Sequence, residues 1–238
     1  MRFDIITLFP ELIETYTQNG IIGRAVENGM FELEFANLRD YSEDKHKKVD
    51  DYPYGGGPGM LLKPEPMFKA LDAIIKQNSY IIYLSPKGSL FNQQKAKELS
   101  EKEHIVLIAG HYEGIDQRII DKYVNEEISM GDYVLTSGEL PVLMIVDAVG
   151  RLLPGVLGSD ESSVDESHSN SLLEYPQYTR PESYLGMDVP EILLSGHHKK
   201  IEEWRRFKAI EVTLKRRPEM VKDIRIIEEY NKLSSKYK

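Results

Sequence analysis

Apolar residues recur along this chain in two periods, and the first 150 residues alternate between them. "FDIITLF" reads as a strand, and Pro10 then opens "PELIETYTQ" as a helix. "MFELEFANL" alternates apolar and polar positions like a half-buried strand. "PEPMFKALDAIIKQ" has proline at its start and apolar residues at helical spacing. Strand-like "SYIIYLS", helical "NQQKAKELS" and strand-like "HIVLIAG" make one β–α–β unit. "IDQRIIDKYV" continues as a helix, "NEEISMG" as a short strand and "GELPVLMIVDAVGRLL" as a long apolar helix. Unbroken apolar runs such as "YIIYL" and "IVLIAG" suit strands covered on both faces. The pattern predicts an α/β fold with a largely parallel sheet flanked by helices.

The texture changes at "SDESSVDESHSNS" (159–171), which has one apolar residue, four carboxylates and six serines, with neither period. Its composition reads as a flexible linker. "PQYTRPES" is loop-like, and "GHHKKIEEWRRFKAIEVTLKRR" is a long helix. Its stripe is Ile201, Trp204, Phe207 or Lys208, Ile210 and Leu214. Trp204 is expected in the core, and Pro218 is expected to start a second helix, "PEMVKDIRIIEEYNKL". The expected organisation is an α/β domain over 1–158, an acidic linker over 159–173 and a small all-helical domain over 174–238.

Composition narrows the chemistry. The 238 residues contain no cysteine, which excludes disulfides, thiolate nucleophiles and iron–sulfur clusters. The charged N-terminal run does not have a signal-peptide pattern, and "LPVLMIV" is too short to span a bilayer. A soluble, cytoplasmic protein is expected. The net charge is −9, but Ser195 to Lys238 carries 13 Lys and Arg against 7 Asp and Glu, leaving −15 on the rest. An acidic body with a basic tail fits either a solvated helix or contact with a polyanion through one end.

Ligands of an open parallel sheet bind beyond the carboxyl ends of its strands. Three successive strands lead into "YLSPKGSLF" (83–91), "AGHYEGIDQR" (109–118) and "SMGDYVLTSGELP" (129–141), each rich in Gly, Ser or Pro. Such residues let backbone approach a ligand closely. None of the three matches a P-loop or a GxGxxG fingerprint. Adjacent His197 and His198 face different sides of a helix, so no metal pair is expected there.

The blocks "YLSPKG", "GHYEGIDQR", "GDYVLTSGELP", "RLLPGVLG" and "YPQYTRP", with "YPYGGGPGM" upstream, closely resemble the bacterial tRNA (guanine-N1)-methyltransferases of the SPOUT class. The likeness runs in order from Met1 to about Lys215. It implies a trefoil knot in the C-terminal part of the α/β domain, a homodimer, and methylation of N1 of the guanine at tRNA position 37. It also implies S-adenosylmethionine bound among the three loops and a helical tRNA-binding domain; from the short apolar runs, no membrane partner is expected. On the first loop it assigns Tyr83, Leu84, Ser85 and Pro86 to the cofactor, and on the second Gly110, Tyr112, Glu113 and Gly114. On the third it assigns Ser129, Met130, Gly131, Asp132, Tyr133, Val134 and Leu135, with Gly138 and Pro141 shaping the same wall. Glu113 and Asp116 are candidates to order the pocket or to help place a magnesium ion (Mg2+). "YPYGGGPGM" resembles the family's loop near the target nucleotide.

The reaction sets the remaining roles. Guanine N1 carries a proton that must leave as the methyl arrives, and a positioned carboxylate can take it. Charge then grows on O6, where an arginine would stabilise it. The family's arginine falls on Arg151, which could equally be a helix C-terminal cation. The family usually has Asp-Ser in the linker, where this chain has "ESH". Glu166 therefore takes the place of the base by register, with Asp165 as its rival. Lys199, Lys200, Arg205, Arg206, Lys215, Arg216 and Arg217 are candidate phosphate contacts. Two other readings stay open: a related enzyme acting on ribosomal RNA, and a non-catalytic RNA-binding protein of this fold.

Overall fold

The computed structural model describes residues 1–157, 167–168 and 172–237. The chain divides into two compact units, Met1–Gly158 and Ser159–Lys238. In the first, β1 (Arg2–Thr7) is followed by α1 (Pro10–Thr17), α2 (Gly20–Glu27) and β2 (Glu32–Asn37). Two short strands, β3 (Asp50–Asp51) and β4 (Leu61–Leu62), precede α3 (Pro64–Ile74). Then come β5 (Ser79–Leu90), α4 (Gln93–Ser100), β6 (His104–Ile108), α5 (Gln117–Tyr123), β7 (Glu126–Ser129) and α6 (Glu139–Gly150).

The main sheet has the order β2-β1-β6-β5-β7, and all its pairings are parallel. Side-chain alternation sends Ile105 and Leu107 of β6 to one face and Val106 and Ile108 to the other. The first face is covered by α1, α2, α4 and α6 through Ile13, Ile22, Leu99, Val142 and Val146. The second is covered by α3 and α5 through Met67, Leu71 and Ile119. Each such fully buried side chain contributes roughly 1.5–3 kcal/mol. Helix ends follow local chemistry: proline opens α1 and α3, and the Asn92 side chain caps α4 by accepting from Lys95 N–H.

At the amino ends of the strands, Ser79 Oγ lies 2.7 Å from His104 Nδ1, and His104 Nε2 lies 2.6 Å from Asp4 Oδ2. Arg2 completes the chain at 2.8 Å from Asp4 Oδ1. The alignment looks like a nucleophile, base and orienter, but Asp4 and His104 are buried and Ser79 Oγ also accepts Lys76 N–H. It staples β5, β6 and β1 at the edge away from the loops.

Pattern reading placed the strands and most helices of this unit, but not α2, β3 or β4. It also ended the first central strand too early. Leu84 and Ser89 both lie opposite Ile128, so the residues between them bulge out and β5 then resumes to Leu90.

The second unit carries a hairpin, β8 (Ser183–Tyr184) with β9 (Met187–Asp188), then α7 (Glu191–Leu194), α8 (His198–Arg216) and α9 (Ile224–Tyr237). It is therefore not all-helical. Leu185 and Gly186 at the hairpin tip both have positive φ, the geometry of a tight two-residue turn. The stripe of α8 buries Trp204, Phe207 and Ile210, with Phe207 stacked on Tyr230 at 5.5 Å, so Phe207 rather than Lys208 holds the core position. Pro218 opens only the short 3₁₀ turn Pro218–Met220. The helix proper begins after Asp223, whose carboxylate accepts Arg225 N–H. Leu172, expected in the linker, is buried against Ala209 and Ile210. Thr213 Oγ1 accepts Leu173 N–H at 2.8 Å, tying that segment to α8.

Candidate active site

Neighbouring β6, β5 and β7 deliver their carboxyl ends to one place, and the loops that follow enclose a cavity of about 310 Å³. The first loop is the β5 bulge itself, where Pro86 cannot donate to a ladder. Gly88 lies so close to β7 that a Cβ would be 2.3 Å from the Glu127 carbonyl carbon. The second loop turns tightly: Tyr112 has φ +56 and Gly114 φ +119, and Gly114 N–H bonds His111 O. It is anchored to the upstream segment by Glu113 N–H on Met60 O and Leu62 N–H on Gly114 O. The third loop returns to the second, with Gly138 N–H on Gly110 O at 2.8 Å. A Cβ on Gly138 would sit 2.5 Å from Gly110 N.

A buried acid ties these pieces together. Glu139, in the first turn of α6, accepts from Thr7 Oγ1 at 2.5 Å and has both carboxylate oxygens 2.8 Å from His111 Nε2. A carboxylate only accepts, so His111 Nε2 carries the proton. Burial alone would raise the Glu139 pKa, but hydrogen bonds from His111, Ser137 and Thr7 outweigh it and hold the carboxyl below its ordinary range. Tyr83 is pushed up to about 12 by burial and by the Glu127 carboxylate, with a backbone hydrogen bond from Ile115 acting the other way. It is a neutral phenol at any physiological pH.

The cavity brings together most of the residues assigned to the cofactor from the resemblance. Tyr83, Leu84, Ser85 and Pro86 form one wall, and Gly110, Tyr112, Glu113 and Gly114 a second. Ser129, Met130, Tyr133, Val134, Leu135, Gly138 and Pro141 form the third. Gly131 and Asp132 do not line it: Gly131 abuts the Tyr133 ring, and Asp132 is exposed. Pattern reading missed His111, Gln117, Ile120, Glu127 and Ser137 on the same walls. Gln117 and Ile120 lie one turn apart on α5, a spacing visible in the sequence but carrying no sign of which face meets a ligand.

The other candidates scatter. Arg151 is the C-cap of α6, a 12-residue helix roughly 18 Å long at 1.5 Å per residue, so it stands at the far end from the cavity. Glu166 and Asp165 lie outside the described residues. The adjacent Ser167 accepts Glu174 N–H, and His168 N–H bonds Leu172 O. Asp116 caps α5, and both its oxygens hold Arg118, which lowers its pKa. Gly55, Gly56, Gly57 and Gly59 all have positive φ, and Gly59 lies against the Glu113 side chain. Among the candidate phosphate contacts, Arg206 makes two hydrogen bonds to Glu229 and Arg217 pairs with Glu219. Among the described residues no cluster of three or more His, Asp or Glu side chains could hold a metal, and no helix is long and apolar enough to cross a membrane.

The family model described as tRNA (guanine-1)-methyltransferase TrmD matches residues 1–223. A tRNA (guanine-N(1)-)-methyltransferase of Ruminiclostridium cellulolyticum is 53% identical over 239 residues, covering 99% of each chain. One of Clostridioides difficile is 54% identical over 226 residues, covering 93% of this chain and 98% of its own. One of Caldanaerobacter subterraneus subsp. tengcongensis is 52% identical, covering 98% and 96%.

Proposed function

We propose that this chain, which belongs to the tRNA (guanine-1)-methyltransferase family, methylates N1 of the guanine at position 37 of tRNA in the cytoplasm, with S-adenosylmethionine as the methyl donor. The observation that carries the reading is the convergence of three loops, from three neighbouring parallel strands, on one cavity. The walls suit the donor: Gly138 packs against the backbone of Gly110 too closely for any Cβ, and a Cβ on Gly110 would press on the Tyr83 ring at 3.0 Å. Glycines thus keep the main chain of two walls bare where a purine can meet backbone N–H and C=O. These loops are also where we place the trefoil knot.

When bound, S-adenosylmethionine supplies a methyl group already activated on a sulfonium. The chain's own residues manage the proton and the charge. The Glu166 carboxylate takes the proton from guanine N1 as the N1–carbon bond forms, with Asp165 as the rival base. The Arg151 guanidinium donates to O6 as negative charge gathers there. Asp116 is committed to Arg118, so of those two candidates Glu113, on the cavity wall, is the one left that would hold a magnesium ion, which keeps most of its waters in such sites.

A homodimer reconciles the distance between Arg151 and the cavity. On α6, Leu140 and Met144 are exposed, and Asp147 and Arg151 continue that stripe at helical spacing. Beside it on α1, Leu12 and Tyr16 are also exposed, and Tyr16 bonds Asp147 at 2.7 Å. An apolar face of this kind suits a second copy, which would carry one protomer's Arg151 to its partner's cavity.

The test is methyl transfer to a tRNA transcript with the product mapped, comparing guanine and adenine at position 37. Absence of product with guanine there would sink the proposal. Glu166→Gln is expected to abolish turnover while leaving cofactor affinity intact, and Asp165→Asn to be mild. The reverse ranking would move the base to Asp165.

A further inference from the structure

The second unit contains its own cavity, of about 490 Å³, within the usual size of roughly 300–1,000 Å³ for ligand pockets. Its floor is apolar, built by Val189, Leu193 and Ile201. Its rim carries two guanidinium groups, Arg180 and Arg205, an exposed tyrosine, Tyr178, and a single acid, Glu182. Several cations of this unit outside the cavity are engaged by carboxylates: Arg206 by Glu229, Lys208 by Glu211, Arg225 by Asp223 and Lys236 by Glu203. Arg180 and Arg205 have no carboxylate partner among the described residues. Arg205 is nonetheless held in place, since its guanidinium lies 5.0 Å above the Tyr175 ring, and Tyr175 packs against Leu172, Ala209 and Ile210. Two arginines without a carboxylate partner among the described residues, one of them held on a ring, beside an exposed tyrosine and apolar side chains suit a ligand with an anion and a flat ring in one molecule.

We propose that this cavity is a nucleotide subsite for the tRNA substrate, taking one unpaired nucleotide with its phosphate on Arg180 and Arg205 and its base against Tyr178. Stacking on an aromatic side chain combined with guanidinium contacts is the usual chemistry for single-stranded RNA. The subsite rests on the tRNA reading given above, and it goes beyond the scattered basic residues of α8 in naming a built pocket. An acidic peptide would satisfy the arginines but leave Tyr178 and the apolar floor without a partner.

The experiment measures tRNA binding at several salt concentrations, with steady-state kinetics, for the full-length protein and its Arg180→Gln, Arg205→Gln and Tyr178→Leu variants. Each arginine variant is expected to weaken tRNA binding roughly tenfold or more. Each should also flatten the salt dependence by about 0.7 per lost single-strand phosphate contact. Tyr178→Leu should weaken binding without changing that slope. KM for tRNA should rise while kcat and S-adenosylmethionine affinity stay within about twofold. Arg225→Gln, which breaks an exposed surface pair, should change none of these. Arg180 is exposed, so Arg180→Gln carries the test even where Arg205→Gln loosens the Tyr175 packing. Unchanged tRNA affinity and slope for Arg180→Gln would overturn the subsite while leaving the methyltransferase reading intact. So would polyglutamate displacing the tRNA as well as a single-stranded RNA does. Failure of the unsubstituted protein to bind or methylate tRNA would overturn both.

Discussion

Glu139 is 2% exposed and makes every contact that a buried carboxylate needs. Its folded pKa lies below its ordinary value, so the stability it contributes is present above the ordinary carboxylate range and is lost as pH falls through the folded value. Glu139→Gln keeps the shape but sets an amide N–H₂ against the donors of Thr7 and His111. The expected cost at pH 7 is about 2–3 kcal/mol. Denaturant unfolding should show that gap shrinking as pH falls below the ordinary carboxylate range and through the lowered pKa of the native carboxyl, where it too becomes protonated. A gap that stays constant with pH would mean that packing, not charge, is what Glu139 supplies. An acid in the first turn of α6 was legible in "GELP", because it favours the helix dipole. Its partners were not, since Thr7 lies 132 positions away and only the folded sheet brings the end of β1 beside the start of α6.

Elements were legible where one period dominated, and obscure where pairing between distant segments decided the conformation. "YIIYL" and "HIVLI" announce buried parallel strands, but the bulge at Ser85–Gly88 exists because β5 must pair with Ile128 twice. The β8–β9 hairpin escaped notice because a leucine, Leu185, occupies a positive-φ position that sequence rules reserve for Gly, Asn or Asp. Glycine was informative in kind rather than in detail. Gly138 has an ordinary φ of −84, so its need is steric: its Cα faces the backbone of Ala109 and Gly110. Gly138→Ala must therefore push α6 away from the loop after β6. The expected loss is about 1–3 kcal/mol of stability. Because both displaced segments are cavity walls, S-adenosylmethionine affinity measured by calorimetry should fall at least tenfold, a loss of about 1.4 kcal/mol or more. Unchanged affinity in a destabilised variant would separate this approach from the cofactor site.

At the scale of the whole molecule, the cavity and Arg151 lie at opposite ends of α6, with the exposed Leu140 and Met144 between them. If Arg151 serves the proposed reaction, one protomer holds the two halves of the site too far apart to act on the same base, and in the proposed homodimer a second copy across the α1–α6 face supplies the missing juxtaposition. No reading of a single chain's periodicity could reveal this, because the helix pattern is the same whether its exposed stripe meets water or another protomer. The arrangement predicts complementation. Arg151→Ala and Gly138→Ala are each expected to abolish most activity as homodimers. Co-expressed with different tags and purified as mixed dimers, they should regain it, because one of the two sites then combines an intact cavity with an intact Arg151 from the partner. With random pairing the unsorted mixture should reach about a quarter of the unsubstituted activity, since half the dimers are mixed and each has one good site. Purified mixed dimers with no more activity than the two homodimers would place Arg151 and the cavity in the same site within one chain, and would remove the reason for the dimer.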